Sequence, residues 1–223
     1  MVTPDPEVIE RANRLGDRVN GHPEFIETVV PELRTMLGQV SEPAELEAVI
    51  DALGLAWCEE ASLAVIPFAN HPEASVRLAS VQALPGGVES AEAVDLVVAA
   101  LLPRCSDDDD DVRDWATFGI GVQLDRDTPE IRSVLKERVS DPNEDVRLEA
   151  ICGLAKRRDS VAVPLVLEIL QEDWVPWPFI EAARDLADPR LVDALEELLT
   201  RWDGNLDDLR EALAACKGER ITY

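Results

Sequence analysis

"DDDDDVRDWATFGI" (107–120) is the stretch on which the fold turns, because two other segments align with it without gaps. They are "HPEASVRLASVQAL" (71–84) and "DPNEDVRLEAICGL" (141–154). Each opens on polar or acidic residues and reaches a Val-Arg pair. Small or apolar residues then follow four, five and eight positions after the valine. Val76, Val112 and Val146 are spaced 36 and 34 residues apart. Offsets 0, +4, +5 and +8 fall on one face of an α-helix, so each copy reads as one amphipathic helix. A period of that length suits a helix–turn–helix repeat and is too long for a heptad coiled coil.

A second helix lies between the copies. In "TPEIRSVLKERVSDP" (128–142), Thr128 can cap, Pro129 suits the first helical position, and Ile131, Val134, Leu135 and Val139 line one face. "SAEAVDLVVAALLPR" (90–104) and "SVAVPLVLEILQED" (160–173) occupy equivalent places and are apolar almost all round, as a helix sandwiched between neighbours must be. The pattern decays in both directions. "FIEAARDLA" (179–187) echoes "RLEAICGLA" (147–155), with Phe179 where the arginine stood, and 191–202 with 206–217 make a last pair. Upstream, 43–58 with 60–71 and 5–18 with 23–37 read as earlier pairs. Divergent ends are expected, since terminal repeats present one face to water. The expected fold is all-α: an α-solenoid of about six helical pairs in one domain over 1–223. Divergent helices occupy 1–58, the clearest repeats 59–187 and a closing pair 188–223.

Composition agrees with a packed helical chain. The hydrophobic and charged fractions, 46% and 30%, are those of a folding sequence, and 4% aromatics suit close helix packing better than a β-sandwich. The net charge of −25 opposes binding to nucleic acid or to an anionic membrane and would steer a basic partner towards the surface. Four scattered cysteines and two histidines, His22 and His71, contain no zinc-ligand spacing, so neither metal nor cofactor is expected. A calcium loop counted from Asp107 would need Gly and Glu where Val112 and Phe118 stand. The first residues lack the regions of a signal peptide, and no apolar run approaches the roughly 20 residues that span a bilayer. A cytoplasmic monomer is the expectation.

The D-x-x-x-D-V-R-x-x-A pattern at Asp141–Ala150, its copy at Asp107–Ala116 and a weaker copy at His71–Ser80 resemble the HEAT-repeat family, including its bacterial PBS-lyase-like type. The resemblance implies an armadillo/HEAT-like solenoid with first helices on the convex side and second helices on the concave side. It also implies a structural role for Arg77, Arg113 and Arg147, paired with turn aspartates to tie one repeat to the next. It implies no single activity, because such repeats are widely reused.

If offsets 0, +4, +5 and +8 point inward, offsets +3 and +6 face the groove. These are Ala79 and Gln82, Trp115 and Phe118, Glu149 and Cys152, with Glu181 and Arg184 in the degenerate repeat. Trp115 and Phe118 stand one turn apart on a helix that begins with Asp107, Asp108, Asp109, Asp110 and Asp111, and Val122 extends their face. Aromatic anchors ringed by charge are what a protein-binding hot spot uses. The alternative is that both rings fill the space left by Gly119 and Gly121. One or two aspartates of the run can cap the helix, and the surplus makes an acidic patch. In "DWVPWPF" (173–179), one of Trp174 and Trp177 is expected to plug a seam between repeats. The leading reading is a non-catalytic module binding a basic or mixed-charge protein partner. A bilin-lyase-like or DNA-glycosylase-like enzyme and an acidic inhibitor of a basic toxin are the alternatives. No G-x-S-x-G, Walker, H-E-x-x-H or dinucleotide fingerprint is present.

Overall fold

The computed structural model describes residues 3–219. Among them are thirteen α-helices and no strand, grouped in two compact units that divide between Arg126 and Asp127. The first unit holds α1 (Pro6–Val19), α2 (Ile26–Leu37), α3 (Pro43–Gly54), α4 (Glu59–Val65), α5 (Ala74–Ala83), α6 (Ala91–Leu101) and α7 (Asp110–Phe118). The second holds α8 (Pro129–Arg138), α9 (Glu144–Lys156), α10 (Ala162–Leu170), α11 (Pro178–Leu186), α12 (Val192–Leu198) and α13 (Leu206–Lys217).

Side-chain caps place six of the thirteen α-helix starts. Asp5, Ser90, Asp109, Thr128, Asn143 and Asn205 each accept a hydrogen bond from a backbone N–H of the first turn they precede, satisfying donors that no helical carbonyl can reach. Pro6 and Pro129 follow two of these caps at the first helical position, where the missing N–H costs nothing.

Within the first unit α1, α3, α5 and α7 succeed one another in one layer, and α2, α4 and α6 form the other. In the second unit α9, α11 and α13 form one layer, with α10 and α12 in the other and α8 packed on α9. The repeat residues make the core between layers. At offsets 0, +4 and +8, Val76, Ser80 and Leu84, Val112, Ala116 and Ile120, and Val146, Ala150 and Leu154 are all fully buried. The grouping of 43–58 with 60–71 needs one correction. α3 lies in the layer of α5 and α7, so the repeat boundary falls after it, between α3 and α4.

The turns before the Val-Arg helices share one construction. Arg77, Arg113 and Arg147 each donate Nη1–H to backbone carbonyls six and five residues earlier: His71 and Pro72, Asp107 and Asp108, Asp141 and Pro142. Each arginine therefore closes the turn of its own repeat. Arg77 also reaches the following repeat, where its guanidinium meets Asp107 at 2.6 and 2.9 Å. Arg104 and Arg138, three residues before the turn aspartates, add ion pairs to Asp107 (2.9 Å) and Asp141 (3.1 Å) that the repeat pattern did not reveal.

Candidate partner-binding faces

In the first unit, α7 brings Trp115 and Phe118 together as an edge-to-face pair, with ring centroids 5.7 Å apart at 84°. Trp115 is exposed and Phe118 half-buried, and both line a cleft of about 560 Å³ on the outer face of the α1–α3–α5–α7 layer. Gln82 stands exposed in the same cleft, whereas Ala79 is buried and forms part of its floor. A side chain at Gly119 would meet Leu101 and Pro85, at 3.1 and 3.2 Å. Val122 does not extend the face. After Phe118 the backbone widens into one π-helical turn, Gly119–Gln123, closed by Leu124 N–H to the Gly119 carbonyl at 3.0 Å, and Gln123 enters the cleft in its place. Such widened turns change the side-chain register by one residue.

Three further residues of the cleft escaped the pattern: Asp51 and Leu55 from α3 and the turn after it, and Trp57. None lies in a clear copy of the repeat. The tryptophan itself, just past an apolar helical run, was the available signal.

The aspartate run divides into roles. Asp107 is buried, its side chain 2% exposed, and is held by Arg77 and Arg104, so it belongs to the interior and not to a surface patch. Burial on its own would raise this carboxyl. The hydrogen bonds from Arg77 and the Asp109 N–H, with the charges of Arg77 and Arg104, outweigh it and hold Asp107 below its ordinary value. Asp109 caps α7 through the N–H groups of Asp111 and Val112, both at 3.1 Å. Asp110 pairs with Arg113 at 2.6 Å. Asp108, Asp110 and Asp111 are the exposed members that carry the surface charge. No group of three or more possible metal ligands occurs among the described residues.

In the second unit, Glu149 and Cys152 on α9 and Glu181 and Arg184 on α11 are all half-buried. Arg184 contacts Glu181 at 3.1 Å and Asp185 and Glu211 at 3.9 Å. Burial, then the negative charges of Glu149, Glu181 and Asp185, push the Cys152 thiol up to about 12. Burial raises Cys216 to about 11, so neither sulfur is a thiolate near neutral pH. The four cysteines form no disulfide. In the 173–179 loop neither tryptophan plugs a seam. Trp174 is 75% and Trp177 47% exposed, the latter donating Nε1–H to Asp208 at 3.0 Å, while Val175 and Phe179 are the buried side chains. The segment turns into α11 at this point, with the Phe179 N–H donating to the Pro176 carbonyl at 3.0 Å and the Ile180 N–H to the Trp177 carbonyl at 2.9 Å.

The layered helix pairs define an all-α repeat protein of the armadillo/HEAT-like solenoid class, and the family model for HEAT repeats matches residues 98–178. Residues 98–178 carry HEAT repeats. Protein YibA of Escherichia coli (strain K12) is 35% identical over 108 residues, which are 48% of this chain and 38% of that protein, so the chain spans well under half the length of this curated relative. The X-ray structure of YibA superimposes with a TM-score of 0.55 at 20% identity, covering 97% of this chain and 98% of that one. The archaeal HEAT-like repeats protein of Thermococcus onnurineus NA1 gives a TM-score of 0.61 at 13% identity, covering 97% and 99%. A designed armadillo repeat protein in complex with the peptide (KR)4 gives 0.50 at 15% identity, covering 95% and 91%. At these identities the structures are alike in fold. No helix among the described residues is long and apolar enough to cross a membrane.

Proposed function

We propose that this chain is an interaction module that takes a basic segment of a protein partner on the outer face of the α1–α3–α5–α7 layer. The observation that carries the reading is the Trp115–Phe118 pair, held edge to face at the margin of a cleft instead of inside the core. Partly exposed aromatic anchors with a charged surround supply the large contact area on which interface hot spots depend. The net charge of −25, with Asp108, Asp110 and Asp111 exposed at the start of the same helix, selects a basic ligand. The designed armadillo protein of similar fold offers a parallel, since its peptide is (KR)4. Glu149, Cys152, Glu181 and Arg184 form a second, separate face of mixed charge with acidic excess in the other unit. A transfer reaction through Cys152 or Cys216 draws no support, because both stay protonated near neutrality.

Capture of partners from the native host on immobilised chain, followed by mass spectrometry, identifies the ligand. Trp115→Ala and Phe118→Ala are each expected to weaken the identified complex by an order of magnitude or more, by typical aromatic hot-spot energies. Helical content should not change, because both side chains lie outside the fully buried core. Full affinity in both variants excludes this face.

A further inference from the structure

We propose that Trp57 and Asp51 form, together with Trp115, a pocket that grips an arginine side chain of the partner's basic segment. The inference rests on the reading of this face as a partner-binding one and gives it a ligand chemistry.

Trp57 is 65% exposed, so its ring gains little from the core. It also stands at φ +45°, a left-handed conformation that L-residues with bulky side chains rarely adopt. Arg158 and Ala187 take the same conformation just past α9 and α11, so the turn belongs to such helix ends, and at Trp57 it carries an exposed indole. The neighbour that holds the turn at Trp57 is Gly87. Itself at φ +71°, Gly87 has the Trp57 carbonyl carbon and oxygen 2.2 and 2.3 Å from where a Cβ would stand. Two left-handed residues thus interlock to hold an indole out in water.

The ring belongs to the cleft that contains Trp115, Phe118 and Leu55, and the carboxylate of Asp51 opens into the same space. An apolar ligand would cover the rings and leave that carboxylate without a partner, at a desolvation cost. An arginine satisfies both. Its flat guanidinium stacks on an indole face while its fork of N–H donors meets the carboxylate. Lysine, a compact and strongly hydrated charge, matches the rings less well. Desolvation by the cleft walls, then the charge of Glu47 one turn away, raises Asp51 above its ordinary value, and a bound cation relieves both effects.

The test is titration of the full chain with hexa-arginine, hexalysine and hexaglutamate, followed by calorimetry and tryptophan fluorescence. Trp57→Asn removes the indole and keeps a residue that tolerates the left-handed conformation, so folding is preserved. Asp51→Asn neutralises the carboxylate. Glu92→Gln, on exposed α6 of the other layer, removes one charge away from the cleft. Hexa-arginine is expected to bind more tightly than hexalysine. Trp57→Asn and Asp51→Asn should each weaken it by about tenfold, while Glu92→Gln stays within about twofold. If all three variants bind equally, attraction by the net charge explains the binding and the pocket is wrong. Partner capture by Trp57→Asn and Trp115→Ala then separates the two readings. Loss with Trp115→Ala alone sinks the arginine pocket and keeps the face. Full capture by both sinks the face as well.

Discussion

Asp107→Ala is expected to destabilise the N-terminal unit by about 3–5 kcal/mol, the usual cost of removing one member of a buried ion pair. Arg77 and Arg104 converge on this carboxylate at 2.6–2.9 Å, and its side chain is only 2% exposed. Alanine would leave two guanidinium groups, 11% and 21% exposed, without the carboxylate they share. It would also leave the Asp109 N–H, bonded to Asp107 at 3.2 Å, without its acceptor. Urea unfolding at pH 7, followed by circular dichroism, measures the loss. The sign of the pH dependence follows from the lowered folded-state value. Stability contributed by Asp107 is fully present above its unfolded pKa, near 3.8, and disappears as pH falls through the lower folded one. The gap between wild type and Asp107→Ala should therefore narrow below about pH 4. A gap that stays constant into strong acid would mean that the carboxylate's charge is not what stabilises the turn.

Gly87→Ala should be nearly as damaging, at about 3 kcal/mol or more, because backbone strain and a steric clash combine there. At φ +71° alanine already pays for its Cβ against its own carbonyl, and the new atom would stand 2.2–2.5 Å from the backbone of Trp57 and Cys58. Gly21 provides the control. Its φ is +72°, yet nothing lies within 4 Å of a Cβ placed there, so Gly21→Ala should cost only about 1 kcal/mol. The difference between the two variants isolates the collision from the dihedral preference. Equal losses would show that the 57–58 and 86–87 turns yield readily, and the interlock that positions Trp57 would then be too soft to matter. Hexa-arginine binding by Gly87→Ala, measured well below its unfolding midpoint, should fall with the displacement of the indole.

The repeat was legible because burial in stacked helices imposes a period. Valine, a small residue and a larger apolar residue recur at offsets 0, +4 and +8, since those positions meet the neighbouring layer in every copy. Caps were legible for the same local reason: Thr128 and, in the aspartate run, Asp109 act on N–H groups within three residues of themselves. Trp115 and Phe118 could be placed on the outer side of their helix by counting turns. The shift at Gly119–Gln123 could not be foreseen, because a π-helical turn answers to close packing against Leu101 and Pro85, which come from elsewhere in the chain.

Sequence alone determined the repeating helices, their buried faces and the excess of negative charge, all of which follow from composition and short-range spacing. Tertiary structure decided what the charged and aromatic groups do. Counting along the run of five aspartates does not single out Asp107 until Arg77, 30 residues upstream, draws it inside. Nothing in the repeat pattern marks Trp57 until Gly87, also 30 residues away, admits its carbonyl and the ring stands exposed. Both outcomes depend on which side chain the next repeat brings within a few ångströms, and spacing along one helix carries no information about that.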